Sequence, residues 1–364
     1  MYPIRIIPLL CLAIGMLFSV SAPAAVINDL YEAEVPVDGQ SPQERADAER
    51  TALNQVLIKV TGNREISTDP KVSDLLDSAG RYVQQYRYRQ VHPAPVAGIP
   101  ESTLAEVLWV HFDPAAITRY LSEMQIPVWG KTRSAALLWL AVDLGDQRYI
   151  VAGDKAGDLQ QVILKQAARR GVRVFLPLFD LEDQINLSFA DVWGDFEQSI
   201  DKASQRYQAD VVLVGRVYQH QPGVWQGRWT LYEGHNSRNW DVDGADINDV
   251  VGQGIDGLAD ILAGQFAQVI SETAKDSALL EVTGVASIDD YARVIKYLAG
   301  LEAVAQVQVQ QVAGDDLYLQ LSLLSDPAGV VQHIALGSTL QQVPPAAGTQ
   351  PSSGDSVLVY RLIP

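Results

Sequence analysis

The sequence predicts an α+β fold made of three small mixed α/β modules, the last of them ferredoxin-like. Three features of the chain lead there. Apolar patterns of period 2 and period 3.6 alternate along its length, so strands and helices are interleaved. Ala135–Val142 and Val211–Val214 are unbroken apolar runs, as in strands buried on both faces. Residues 278–364 read β-α-β-β-α-β, the split βαβ arrangement.

Residues 1–25 read as a secretory signal peptide. Arg5 gives the charged start, Ile6–Val20 the apolar run, and Ala22-Pro23-Ala24-Ala25 the small residues, with cleavage placed at Ala25. The run is shorter than the ~20 apolar residues of a membrane span, and Pro8 interrupts it. Cys11, the single cysteine, lies inside that run behind Pro8-Leu9-Leu10, so neither lipidation nor a disulfide is expected. The expected product is periplasmic, has no transmembrane segment, and depends on its cores for stability.

Residues 26–131 form the first module. Leu30–Val35 predicts a strand. Ser41-Pro42-Gln43-Glu44 is a capping box with proline at the first helical position. The helix behind it aligns Leu53, Val56, Leu57 and Val60 on one face and stops at Gly62. Asp69-Pro70 opens a short helix, Val83–Val91 and Leu104–Phe112 are strands, and Asp113-Pro114 caps a third helix.

The second module, residues 132–277, begins with the Ala135–Val142 strand. A helix runs from Asp158 to Gly171, and Val172–Leu178 follows as a strand. Phe189, Trp193, Phe196, Ile200, Ala203 and Tyr207 recur at helical spacing. The strand begun at Val211 turns at Pro222-Gly223 into Trp225–Tyr232.

In residues 278–364, Leu279–Thr283 is a strand and Ser287 caps a helix. Ala305, Val307 and Val309 alternate with Gln306, Gln308 and Gln310, predicting one dry face and one wet. Leu317–Leu323 alternates likewise, Asp326-Pro327 caps a helix, and Val357–Leu362 is the final strand.

Charge and motif narrow the function. With 27 basic against 44 acidic residues and a net charge of −17, the chain offers no basic face to nucleic acid or to an anionic membrane. Gly252-Gln253-Gly254-Ile255-Asp256-Gly257 has the letters of a dinucleotide fingerprint. However, the helical face of Ile247, Val250, Val251, Ile255, Leu258 and Leu262 runs straight through it, and Asp246, Asp249 and Asp256 would repel phosphate. No cofactor is expected. His92, His111, His220, His235 and His333 lack the spacing of a helical zinc site, so no metal is expected either.

Two clusters remain as binding candidates. Asp180, Glu182, Asp183, Asp191 and Asp195 crowd one segment, read either as the acids of a metal-assisted hydrolase or as a solvated loop with a Ser188–Asp191 capping box. Trp225 and Trp229 share a strand face close to Trp240, either as core or as an exposed strip for a glycan or small molecule.

The run Leu30-Tyr31-Glu32-Ala33, the stretch Arg45–Leu53, Lys59-Val60-Thr61-Gly62-Asn63, Ile126–Gly130 and Leu138-Trp139-Leu140-Ala141 resemble the DUF2066 family of exported Gram-negative proteins. The first helix after a Tyr-Glu strand is similar to the amino-terminal domain of the flagellar T-ring protein. Ala209–Val217 resembles the amino-terminal strand of TolB-type domains and of outer-membrane lipoproteins. These resemblances imply a role in envelope assembly or regulation, with an envelope or outer-membrane-associated protein as partner, and supply no catalytic residues. The function expected is therefore a periplasmic, non-catalytic scaffold or adaptor, with glycan binding and metal-assisted hydrolysis as alternatives.

Overall fold

The computed structural model describes residues 29–91, 105–153, 157–234, 236–271, 274, 276–336, 339–343 and 357–363. Ala25 and the rest of the expected signal peptide lie outside these residues, as do His92, His235 and the Pro-, Gly- and Ser-rich residues 344–356. The fold is α+β, with ten α-helices and three sheets among the described residues. No described helix is long and apolar enough to cross a membrane.

In the first module, β1 (Glu32–Val37), α1 (Pro42–Thr61), α2 (Ser73–Asp77), β2 (Val83–Val91), β3 (Ala105–Phe112) and α3 (Pro114–Glu123) follow in order. Both halves of the capping box form: Glu44 N–H donates to Ser41 Oγ at 3.3 Å, and Ser41 N–H to Glu44 Oε2 at 3.0 Å. Gly62 ends α1 at φ 73°, a left-handed conformation that glycine adopts without a Cβ clash. Between these signals α1 buries Leu53, Val56, Leu57 and Val60 against the antiparallel sheet β1-β3-β2. Asp69-Pro70 opens a single 3₁₀ turn, and the α-helix proper starts at Ser73.

The second module contains β4 (Ala135–Asp143), β5 (Arg148–Ile150), α4 (Asp158–Arg170), β6 (Arg173–Phe175), α5 (Leu181–Asn186), α6 (Phe189–Gly194), α7 (Glu197–Ser204), β7 (Val211–Gln221), β8 (Val224–Glu233), β9 (Asn236–Gly244) and α8 (Ile247–Phe266). The sheet order is β5-β4-β7-β8-β9, with β6 also on β4. β4 is parallel to β6 and β7 and buried on both faces, as its apolar run requires. Leu138 and Leu140 meet α4 and α8 on one side, while Leu137 and Trp139 meet Val192, Ile200 and Ala203 on the other.

Three expectations are corrected in this module. β6 ends at Phe175 rather than Leu178, because the N–H of Leu178 goes to Tyr207 Oη and that of Phe179 to Asp183. The helical face from Phe189 to Tyr207 is two α-helices broken at Asp195, which sits at φ 57°. Its carboxylate is held there by Thr230 Oγ1 (2.7 Å), Tyr232 Oη (3.0 Å) and Arg216 Nη2 (3.2 Å). Beyond the break Phe196 turns outward. Finally, β9 extends the predicted hairpin into a third strand.

The third module runs β10 (Asp276–Thr283), α9 (Ile288–Ala299), β11 (Val304–Ala313), β12 (Asp316–Leu323), α10 (Pro327–Leu336), β13 (Leu340–Gln342), β14 (Leu358–Leu362). Its sheet order, β11-β12-β10-β14-β13, keeps the split βαβ plan with one modification. β13 has the direction a fourth ferredoxin-like strand should have, but β14 inserts between it and β10, parallel to β10. The simple alternation expected of β11 is also corrected. Register shifts after Val304 and Val309 bring Val304, Val307, Val309 and Val312 opposite Leu323, Leu321, Leu319 and Leu317. All four valines therefore share one face, although their sequence spacing is three, two and three. That face is dry only in part: Val309 and Val312 are 39% and 60% exposed.

Candidate functional site

The acidic segment is a structural network. Asp180 caps α5 by accepting from the N–H groups of Glu182 and Asp183, and pairs with Arg206 at 2.7 and 3.0 Å. The Arg206 hydrogen bond, with the backbone donors, holds its pKa down to about 2. Asp183, buried, accepts from Phe179 N–H (2.8 Å), Tyr207 Oη (2.5 Å) and Arg206 (3.1 Å). Burial first, and this carboxylate second, push the Tyr207 phenol up. Asp191 closes a capping box with Ser188, which lowers its pKa, and so serves a different helix from Asp180. The carboxylates of Asp180, Asp183, Asp191 and Asp195 are thus turned to protein donors. Among the described residues no group of three His, Cys, Asp or Glu side chains is arranged to hold a metal ion.

The tryptophans are packed, which corrects the exposed-strip alternative. Trp229 is 1% exposed and stacks on Trp240 at 6.4 Å between centroids and 14° between planes. Trp225 is half-buried against the same core. The glycines of the false fingerprint explain this packing. A Cβ on Gly254 would come within 2.0 Å of Trp229, and one on Gly257 within 2.4 Å of Trp240, so α8 lies directly on the two indoles. The spacing that resembles a phosphate loop is a groove for rings.

The histidines are dispersed. His111 stacks on Trp109 at 6.2 Å, with Arg87 4.4 Å from the Trp109 ring. His220 meets Tyr218 edge-on, and His333 is buried with Nδ1 2.8 Å from Gly329 O.

Sequence reasoning missed the buried cations that join the first two modules. Arg133, fully buried, lies 3.6 Å from the Trp129 ring and donates to the carbonyls of Gly130 (2.5 Å), Trp129 (2.6 Å), Lys59 (3.0 Å) and Gly171 (3.1 Å). Burial pulls its pKa down to about 9, with Glu302 and then Tyr31 opposing the drop. Arg170 bridges Gly62 O, Asp256 and Asp260 at 2.7–2.8 Å. Lys59, its pKa lowered by burial, reaches the carbonyls of Asp29 and Glu32. A cleft of ≈480 Å³ opens beside it between Leu164, Arg173 and Phe175, yet the ammonium is aimed at backbone. Here ionisable groups are turned to backbone carbonyls, among them those at the C-terminal ends of α1 and α4.

The second module leaves a group of apolar side chains uncovered. Leu181 and Ile185, one turn apart on α5, are 72% and 74% exposed, and Leu178 and Phe196 are also more than half exposed. The Asp180–Asp183–Arg206–Tyr207 network anchors α5 from below, so this ridge is presented on a fixed element. Asp180 and the exposed Glu182 flank it with negative charge.

Residues 24–130, the first module, match the model of a domain of unknown function, DUF8605. No curated protein matches the chain.

Proposed function

We propose that this chain is a non-catalytic scaffold of the cell envelope, exported to the periplasm, that binds another envelope protein through the Leu178–Leu181–Ile185 ridge. The observation that carries the reading is the exposure of Leu181 and Ile185 on a helix pinned by a buried carboxylate, with Leu178 exposed in the loop just before it. Exposed apolar surface rimmed by polar groups marks interaction sites, and a rigid presenting element lowers the ordering cost of binding. The flanking Asp180 and Glu182, on a chain of net charge −17, select a partner segment with aliphatic anchors between Lys or Arg residues. Export rests on the sequence of residues 1–25.

The test compares capture from envelope extract by the native chain and by Leu181→Asp and Ile185→Asp. The reading expects a reproducible protein retained by the native chain and lost from both variants. Retention of the same proteins by all three removes the ridge from the function.

A further inference from the structure

The edges of the three sheets are protected unequally. β1 carries Glu32, Glu34 and Pro36; β2 carries Arg87 and Arg89; β9 carries Arg238, Asp241 and Asp243. β5, β6 and β13 are three residues long. Charge, proline, brevity and β-bulges are the devices by which proteins prevent strand pairing at an open edge. Of these β11 has only the bulges, at Ala305 and Gln310. It is ten residues long, Val-Ala-Gln-Val-Gln-Val-Gln-Gln-Val-Ala, uncharged throughout, and terminal in its sheet. From Ala305 onward its residues are exposed apart from half-buried Val307. Its outward backbone groups therefore face solvent with no side-chain deterrent.

The strand is also complementary to itself. About Gln308 the sequence repeats in reverse except at three residues either side (Ala305 and Gln311): valine at one (307 and 309), glutamine at two (306 and 310), valine at four (304 and 312). An antiparallel pairing centred on Gln308 would set Val307 against Val309 of the partner subunit on the helix-facing side. Gln306 would meet the partner's Gln310 on the open side, where Gln310 already hydrogen-bonds Gln320 at 2.8 Å. The register shifts fall at Ala305 and Gln310, so the regular run about the axis is Val307–Val309 and the Gln306–Gln310 pairs lie at its margin. Charge restricts where two copies can meet. Each carries a net charge of −17 and repels the other, and β11 is an uncharged strip where that repulsion is least.

We propose that β11 pairs with β11 of a second copy of this chain about a twofold axis at Gln308, joining two five-stranded sheets into one. The inference is independent of the ridge on α5.

The test uses the full chain with Cys11→Ser, so that an introduced cysteine is unique. Opposed Cα atoms in an antiparallel pair lie about 4.5–5.5 Å apart, within disulfide range. Gln308→Cys, facing itself across the axis, should give a disulfide-linked dimer on mild oxidation, and Gln306→Cys, facing the partner's Gln310, should not. Light scattering should show a concentration-dependent dimer across the micromolar range, weakened several-fold by Gln308→Lys at an exposed site that leaves the fold intact. A monomer at every concentration, equal crosslinking at 306 and 308, or another protein's strand found on β11 would each overturn the proposal.

Discussion

Trp229 occupies the space that a side chain on Gly254 would need, its Cε2 falling 2.0 Å from the position of a Cβ there. The helix α8 can lie on the indole only because that residue is glycine. Gly254→Ala should therefore strain the packing and destabilise the fold by about 1–3 kcal/mol or more, measured by urea unfolding. Gly252, two residues earlier, meets nothing within 4 Å. Gly252→Ala should stabilise by roughly 0.5–1 kcal/mol through helix propensity alone. Equal effects at the two sites would contradict the packing account.

Arg133 should be intolerant of change in both charge and shape. Removing it takes a donor from four backbone carbonyls and leaves half-buried Glu302, which opposes its pKa drop, without that cation. Arg133→Met should cost about 3–5 kcal/mol, and Arg133→Lys should recover little of it, since one ammonium cannot span the guanidinium's fork. Unfolding midpoints of the two variants check this.

Asp180 gives a pH signature. Its folded pKa, about 2, lies below the ordinary 3.8, so the carboxylate's contribution is complete above the ordinary value and is lost as pH falls through the folded one. The stability gap between the native chain and Asp180→Asn should be constant near neutrality and close as pH drops from 3.8 toward 2. A gap that widens on acidification would show that Asp180 is not held ionised by Arg206.

The ridge separates binding from stability. Leu181→Ser and Ile185→Ser alter side chains that are mostly solvated, so each should change unfolding free energy by less than about 0.5 kcal/mol. A loss of several kcal/mol would mean that the ridge is core.

Much of the fold was legible because its signals are local. Ser41 with Glu44, Asp113, and the left-handed Gly62 and Gly171 mark helix ends within a few residues of themselves. The unbroken run of β4 announced a strand covered on both faces. What escaped depends on distant partners. The break at Asp195 is fixed by Arg216, Thr230 and Tyr232, each remote in sequence. The strand β9 is mostly polar, and its place comes from pairing with β8, where Trp240 meets Trp229 and Val242 joins the same core. Among the site residues, the acids at 180–183 read as a cluster, but their dependence on Arg206 and Tyr207 did not show. Arg133 and Arg170 were invisible because their partners include backbone carbonyls, which leave no mark in a sequence.

The central claim, that this chain acts by holding another protein against α5 rather than by chemistry, is tested most directly by a photo-crosslinking residue at position 185 in living cells. The account predicts one discrete adduct, absent when the same residue stands at exposed Gln43 and lost on Leu181→Asp. No adduct at 185, or the same adduct from both positions, would contradict it.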